Sequence, residues 1–269
     1  MRYGIVLPGG TASTQLEQAV AADEAGWDGV FVWEAAYGVD AWTLLSAMAM
    51  RTSHVHLGTM LTPLPWRRPW KVASQVATLD ELSGRRAILA VGLGAVDPGF
   101  LGTTDEVTDR RTRAELLDEG IDVIAGLWAG DYQYEGGHFQ VDLSGRADLR
   151  AVRRAPIWVV GAWPREKSMG RVLRCDGLLP TTMGDEGARL STPDELVEML
   201  AWLDANGGRR PGFDVVTEGE TPADDAAAAA GIVQPWVDAG ATWWLETRWQ
   251  SADDLDARIA AGPPSPNPG

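Results

Sequence analysis

Few residues in this chain pair a reactive side chain with a position where a fold would use it. Glu34 follows the apolar run 29–33, and Asp97 follows the run 87–91 with its Gly92-Leu93-Gly94 ending. In parallel α/β folds the loops after strands carry the chemistry, so both are candidate catalytic carboxylates. A third stretch, Gly161-Ala162-Trp163-Pro164, follows the apolar run 156–160 and leads into a helical pattern with Arg165 and Lys167 in its first turn. Free backbone N–H groups at a helix start favour an anion such as phosphate. The two cations oppose the helix dipole unless an anion sits beside them. A plain strand-helix turn with solvated basic residues is the competing reading of the same stretch.

Other reactive residue types are badly placed. His54 and His56 lie at the start of an apolar run rather than its end, His138 sits in a polar excursion, and Cys175 begins a predicted strand. A Ser-His-Asp triad, a Cys-His pair and a His-carboxylate metal centre are therefore not expected, and the metal expectation is none. Tryptophan is abundant, 13 residues against 4 Phe and 4 Tyr. Trp33, Trp66, Trp70, Trp163 and Trp249 fall near strand ends and suit an aromatic-walled pocket; Trp27, Trp128, Trp202 and Trp236 read as packing. A pocket with many aromatics and few acid-base groups suits a bound cofactor that supplies the chemistry. The Gly92-Leu93-Gly94 turn is not a dinucleotide fingerprint, because the third glycine and the helix start are missing.

The elements that must position these residues alternate along the chain. Residues 55–61 are a strand, 69–82 a helix with apolar Val72, Val76, Leu79 and Leu82, and 87–91 a strand. Both strands are nearly all apolar, as in parallel sheets covered on two faces. Further strands are predicted at 2–7, 29–33, 156–160, 176–179, 213–217 and 241–246, with helices between them. Pro235 falls inside the helical pattern 222–239, where a kink or break is expected. Eight alternations in 269 residues predict an α/β chain forming a single (β/α)8 TIM barrel over residues 1–262. A hairpin at 132–141, around Gly136-Gly137, reads as an insertion between strands four and five, and 263–269 as a disordered Pro-rich tail. An open doubly wound sheet is the rival architecture.

Composition narrows the partners. A net charge of −15 disfavours nucleic acid and anionic membrane surfaces. One cysteine precludes an intrachain disulfide and fits a cytoplasmic location. No apolar run approaches the ~20 residues of a membrane helix, and the N-terminal stretch reads as a first strand rather than a signal peptide.

The stretch GTMLTPLPWRRPWKVASQVATLDELSGRRAILAVGLG resembles the signature of the bacterial luciferase-like monooxygenases, which include enzymes using the deazaflavin coenzyme F-420. EAGWDGVFVWE, LLDEGIDVIAGLW with YEGGHFQV, and RAPIWVVGAWP with CDGLLP agree with it. The resemblance implies a barrel with a flavin at the carboxyl ends of the strands and its phosphate held by Gly161, Ala162 and Trp163. It implies a non-prolyl cis peptide at Thr59-Met60 behind the ring system, with Thr62 nearby, and an acid at Glu34. Two departures stand out: members often carry His after that acid, here Ala35, and some carry Glu after the Gly-x-Gly turn, here Ala95. A sugar-phosphate dehydrogenase mechanism is therefore not expected.

The expectation is a flavin-dependent oxidoreductase, monooxygenase-like, acting on a small organic substrate with FMN as cofactor; the alternative is hydride transfer with the deazaflavin. Cofactor contacts are expected from Glu34, Thr59, Met60, Thr62, Gly92, Gly94, Gly161, Ala162, Trp163 and Arg165, and substrate walls from Trp33, Trp66 and Trp249. A separate flavin reductase and a homodimer are the expected partners. A non-catalytic flavin-binding barrel is a second hypothesis, and a phosphate-binding lyase or isomerase a third. The third is weakened because no lysine falls at a predicted strand end.

Overall fold

The structure, a computed structural model, describes residues 1–95, 105–145 and 154–264. Asp97 and the last five residues of the tail lie outside the described residues.

Eight parallel strands close into a barrel. They are β1 (Arg2–Leu7), β2 (Gly29–Val32), β3 (His56–Thr59), β4 (Ala87–Gly92), β5 (Ile157–Trp163), β6 (Gly177–Gly184), β7 (Asp214–Gly219) and β8 (Trp243–Glu246). Each pairs in parallel with its sequence neighbour, and β8 returns to β1 through Arg2 opposite Trp243. The closed ring excludes an open sheet. The helices are α1 (Ala12–Glu24), α2 (Ala41–Ala49), α3 (Pro69–Leu82), α4 (Arg110–Ala129), α5 (Glu166–Val172), α6 (Pro193–Ala205), α7 (Ala226–Asp238) and α8 (Leu255–Ala260). Their starts are written locally. Thr11, Asp40, Asp109 and Asp225 each accept a backbone N–H from the first turn, and Thr192 with Glu195 forms a full capping box. The predicted hairpin is present between α4 and β5, pairing Gln133–Glu135 with Gln140–Asp142.

Period-two alternation sorts each strand into two cores. In β4, Ala87, Leu89 and Val91 face the helices, while Ile88 and Ala90 face the barrel interior. The interior is filled by Phe31, Trp158 and Trp243, whose ring centroids lie 5.3–6.0 Å apart in tilted and edge-on pairs. Asp214 accepts both indole N–H groups, from Trp158 at 3.1 Å and Trp243 at 3.0 Å. These rings need space, and glycine supplies it. A Cβ on Gly177 would stand 2.4 Å from Trp158 Cδ1, and one on Gly29 2.9 Å from the Phe31 ring.

Four local expectations are corrected. The cis non-prolyl bond is Met60-Leu61, one residue beyond Thr59-Met60. Strand β5 does not end at Val160; it runs on to Trp163, which pairs with Thr182 of β6. Pro164 is therefore not the first residue of a helix: it follows a cis bond, and α5 begins at Glu166 with Arg165 as its cap. Finally, α7 does not break at Pro235: it runs over Ala226–Asp238, and Pro235, which lacks an N–H but keeps its carbonyl, accepts from Ala239 N–H at the helix end.

Candidate active site

A cavity of about 960 Å³ opens at the carboxyl ends of the strands. Its floor includes Met60, Leu61 and Val160, directly above the barrel interior. Its walls differ in charge from one side to the other. The residues carried by α4 and by the segment after β5 are Arg110, Arg113, Arg165, Lys167 and Arg171, with Ser168. On the arc from β7 through β8 to β3 stand Glu218, Trp249, Trp33, Glu34 and Trp66. Among the described lining residues every cation is on the first arc and both carboxyls are on the second.

Glu34 is held by three donors. Trp42 Nε1 and Thr62 Oγ1 donate to Oε2 at 3.2 and 2.6 Å, and an Arg67 guanidinium nitrogen donates to Oε1 at 2.6 Å. The Thr62 and Thr59 hydroxyls are 2.8 Å apart, which extends this chain inward. Arg67 in turn bonds Gln75 of α3 at 2.8 Å. Burial pushes the Glu34 carboxyl above its ordinary range; Arg67 and the hydroxyl of Thr62 pull it back without cancelling that effect.

Glu218, at the end of β7, accepts a hydrogen bond from Trp249 Nε1 at 2.7 Å. Burial raises its pKa as well, and the indole N–H lowers it by less. On the cationic arc, Arg113 is buried, 1% exposed, and donates to the carbonyl oxygens of Leu93 and Gly94. Its Nε has no hydrogen-bond partner among the described residues. Arg171 is neutralised by a two-pronged bond to Asp118 at 2.8 Å. Arg165 and Lys167 are exposed and form no ion pair among the described residues.

The structure gathers Glu34, Met60, Gly94, Ala162, Arg165, Trp33, Trp66 and Trp249 on the cavity. Thr59 and Thr62 lie behind Glu34 and reach the cavity through it. Gly92 packs against Leu61 and Val160, Gly161 against Leu178, Met169 and Val172, and Trp163 against the outer core. The Ala162 amide is already satisfied by Ser168 Oγ at 2.9 Å. Anion recognition on this side thus falls to side-chain cations more than to strand-end amides. The sequence reading missed Glu218 and Arg113. Glu218 lies one residue past the predicted end of strand seven, a position that could have been flagged by the same strand-end logic as Glu34. Arg113 carries no such signal, since it is one polar position on a long helix.

A model of the luciferase-like monooxygenase family matches residues 1–261. The chain belongs to this family. Within the luciferase-like family it is 30% identical over 250 residues to a Mycobacterium tuberculosis protein named for coenzyme F-420-dependent oxidoreductase activity, covering 82% of this chain and 66% of that relative. It is 28% identical over 144 residues to the oxygenase component of the flavin-dependent trigonelline monooxygenase of Acinetobacter baylyi, 53% of this chain and 40% of the relative. The chain thus spans about two thirds of the first of these curated relatives and less than half of the second. An F-420-dependent secondary alcohol dehydrogenase, solved with an F-420–acetone adduct, superposes with a TM-score of 0.76 at 17% identity, covering 97% of both chains. That likeness establishes the TIM-barrel fold.

Proposed function

We propose that this luciferase-like barrel is an oxidoreductase that binds a phosphorylated flavin or deazaflavin in the 960 Å³ cavity. The observation that carries the proposal is the charge division of that cavity. In a chain of net charge −15, a cluster of cations on one arc of an otherwise apolar pocket is the complement of an anionic group. The residues fit such a cofactor: Arg165 and Lys167 form no ion pair among the described residues and are free to meet phosphate, Arg110 lines the same side, and the buried Arg113 has an unsatisfied Nε there. Met60 and Leu61 offer an apolar floor for a flat ring. When bound, a flavin-type cofactor supplies two-electron transfer, or oxygen chemistry in the FMN case.

The chain's own part is binding, orientation and proton handling. Glu34 faces the cavity with a carboxyl raised toward working pH by burial, which suits a group that takes or gives a proton. Arg67, Thr62 and Trp42 fix its two oxygens so that the group does not swing. Trp33, Trp66 and Trp249 wall the substrate side.

FMN with oxygen chemistry is the first reading, supported by the family and by the Acinetobacter baylyi relative. Hydride transfer with the deazaflavin is the second, favoured by the names of the Mycobacterium tuberculosis relative and of the superposed dehydrogenase. A separate flavin reductase belongs to the first reading, since that relative is an oxygenase component. We also propose a homodimer, checked by light scattering, and a cytoplasmic location. The location is supported by cysteine usage: the chain has one cysteine, Cys175, which is free and buried. No helix among the described residues is long and apolar enough to cross a membrane.

Titration of the protein with FMN and with F-420, followed by visible absorbance, tests the assignment. Micromolar binding of one of them is expected, and Arg165→Ala should weaken it at least tenfold. Binding of neither cofactor overturns the proposal.

A further inference from the structure

The two carboxyls of the cavity are not equivalent. Glu34 has a counter-ion, Arg67, at 2.6 Å. Glu218 has none among the described residues; its recorded hydrogen bond comes from Trp249 Nε1 at 2.7 Å, and the cavity's cations stand on the opposite arc. A carboxylate withdrawn from water is ordinarily paired, because an unpaired one forfeits its solvation for nothing. A cationic group entering the cavity would supply the partner that the chain does not.

The surroundings narrow what that partner is. Trp33 and Trp249 line the same arc and remain 49% and 42% exposed, so their rings are available to a ligand. Trp66 and Tyr37 complete the wall. Indole faces attract cations through their quadrupole, most strongly when water is excluded. An anionic substrate would meet Glu218 and Glu34 on this arc and be repelled by both.

We infer that the arc formed by Glu218, Trp249, Trp33 and Trp66 is a substrate subsite for an organic cation, an ammonium or an N-alkylated heteroaromatic, with its positive group against Glu218. The inference rests on the oxidoreductase reading only in that the cofactor takes the cationic arc and leaves this one to substrate.

The probe is benzyltrimethylammonium, whose charge is fixed, compared with neopentylbenzene, its neutral isostere, by calorimetry and tryptophan quenching on the full chain. The cation should bind at least tenfold more tightly than the isostere, and Glu218→Gln should remove that preference while FMN or F-420 affinity stays unchanged. Equal binding of the two probes, or an unchanged preference in Glu218→Gln, overturns the inference. The preference of the unaltered protein decides the matter even if the variant does not fold. Cation binding without binding of either cofactor would leave this subsite standing and sink the oxidoreductase proposal instead.

Discussion

Glu34 and Glu218 show how one cavity gives two carboxyls different surroundings. Both are pushed above the ordinary carboxylate range by burial, but only Glu34 has a cation on it. For each, the unfolded chain binds fewer protons than the folded one between the ordinary pKa and the raised one. Stability therefore falls as pH climbs through that window, and the cost is fully present above it. Glu218→Gln removes a charge without removing an acceptor for Trp249. The variant should melt a few degrees above the parent near about pH 8, and the gap should close toward about pH 4, where the parent carboxyl is protonated. Melting curves across pH check this; a gap that does not depend on pH would refute it. Glu34→Gln keeps the shape of the site but cannot carry a proton. Turnover should drop by about 10²–10⁴-fold with cofactor affinity held within a few-fold, read from steady-state rates beside a binding titration.

At the scale of elements, the barrel works because large rings and missing side chains are matched across strands. Gly58 in β3 is the least forgiving case: a Cβ there would stand 2.5 Å from the Ile88 carbonyl oxygen of β4, and backbone cannot step aside as a side-chain tip can. Gly58→Ala should cost about 1–3 kcal/mol, seen as a lower urea midpoint with an unchanged slope. Gly161 belongs to the same class, since its missing Cβ makes room for Leu178 at 2.4 Å rather than for a ligand. The element spacing itself was legible: α3 runs over Pro69–Leu82, β1 over Arg2–Leu7 and α6 over Pro193–Ala205, as their periodicity predicts. The end of β5 was not, because the apolar run closes at Val160 whereas pairing with β6 carries the strand on to Trp163. Hydrogen bonding to a neighbour, not the local pattern, decides where such a strand stops.

At the scale of the molecule, closure depends on the first strand meeting the last. Arg2 to Leu7 bonds β2 on one side and β8 on the other, so its loss would leave two unpaired edges and open the aromatic interior. Deleting residues 1–7 should abolish cooperative thermal unfolding and yield a chain that aggregates, as monitored by circular dichroism and light scattering; a cooperative melt near the parent midpoint would count against it. The charge division across the cavity is also a property of the whole ring. Helix α4 and the segment after β5 bring the cations, and strands from the far side of the barrel bring Glu218 and Glu34.

By itself the sequence determined the alternation of strands and helices and the placing of Glu34, Trp33, Trp66 and Trp249 at or just beyond strand ends. These follow from spacing within one element and the turn beside it. Only the tertiary structure decided that Trp158 and Trp243 fill the barrel with both indoles on Asp214, that Arg113 of α4 reaches the turn at Leu93 and Gly94, and that Glu218 faces the cavity without a counter-ion. Each of these joins residues far apart in the chain. Whether a side chain finds a partner there depends on ring closure and packing, which no local pattern encodes.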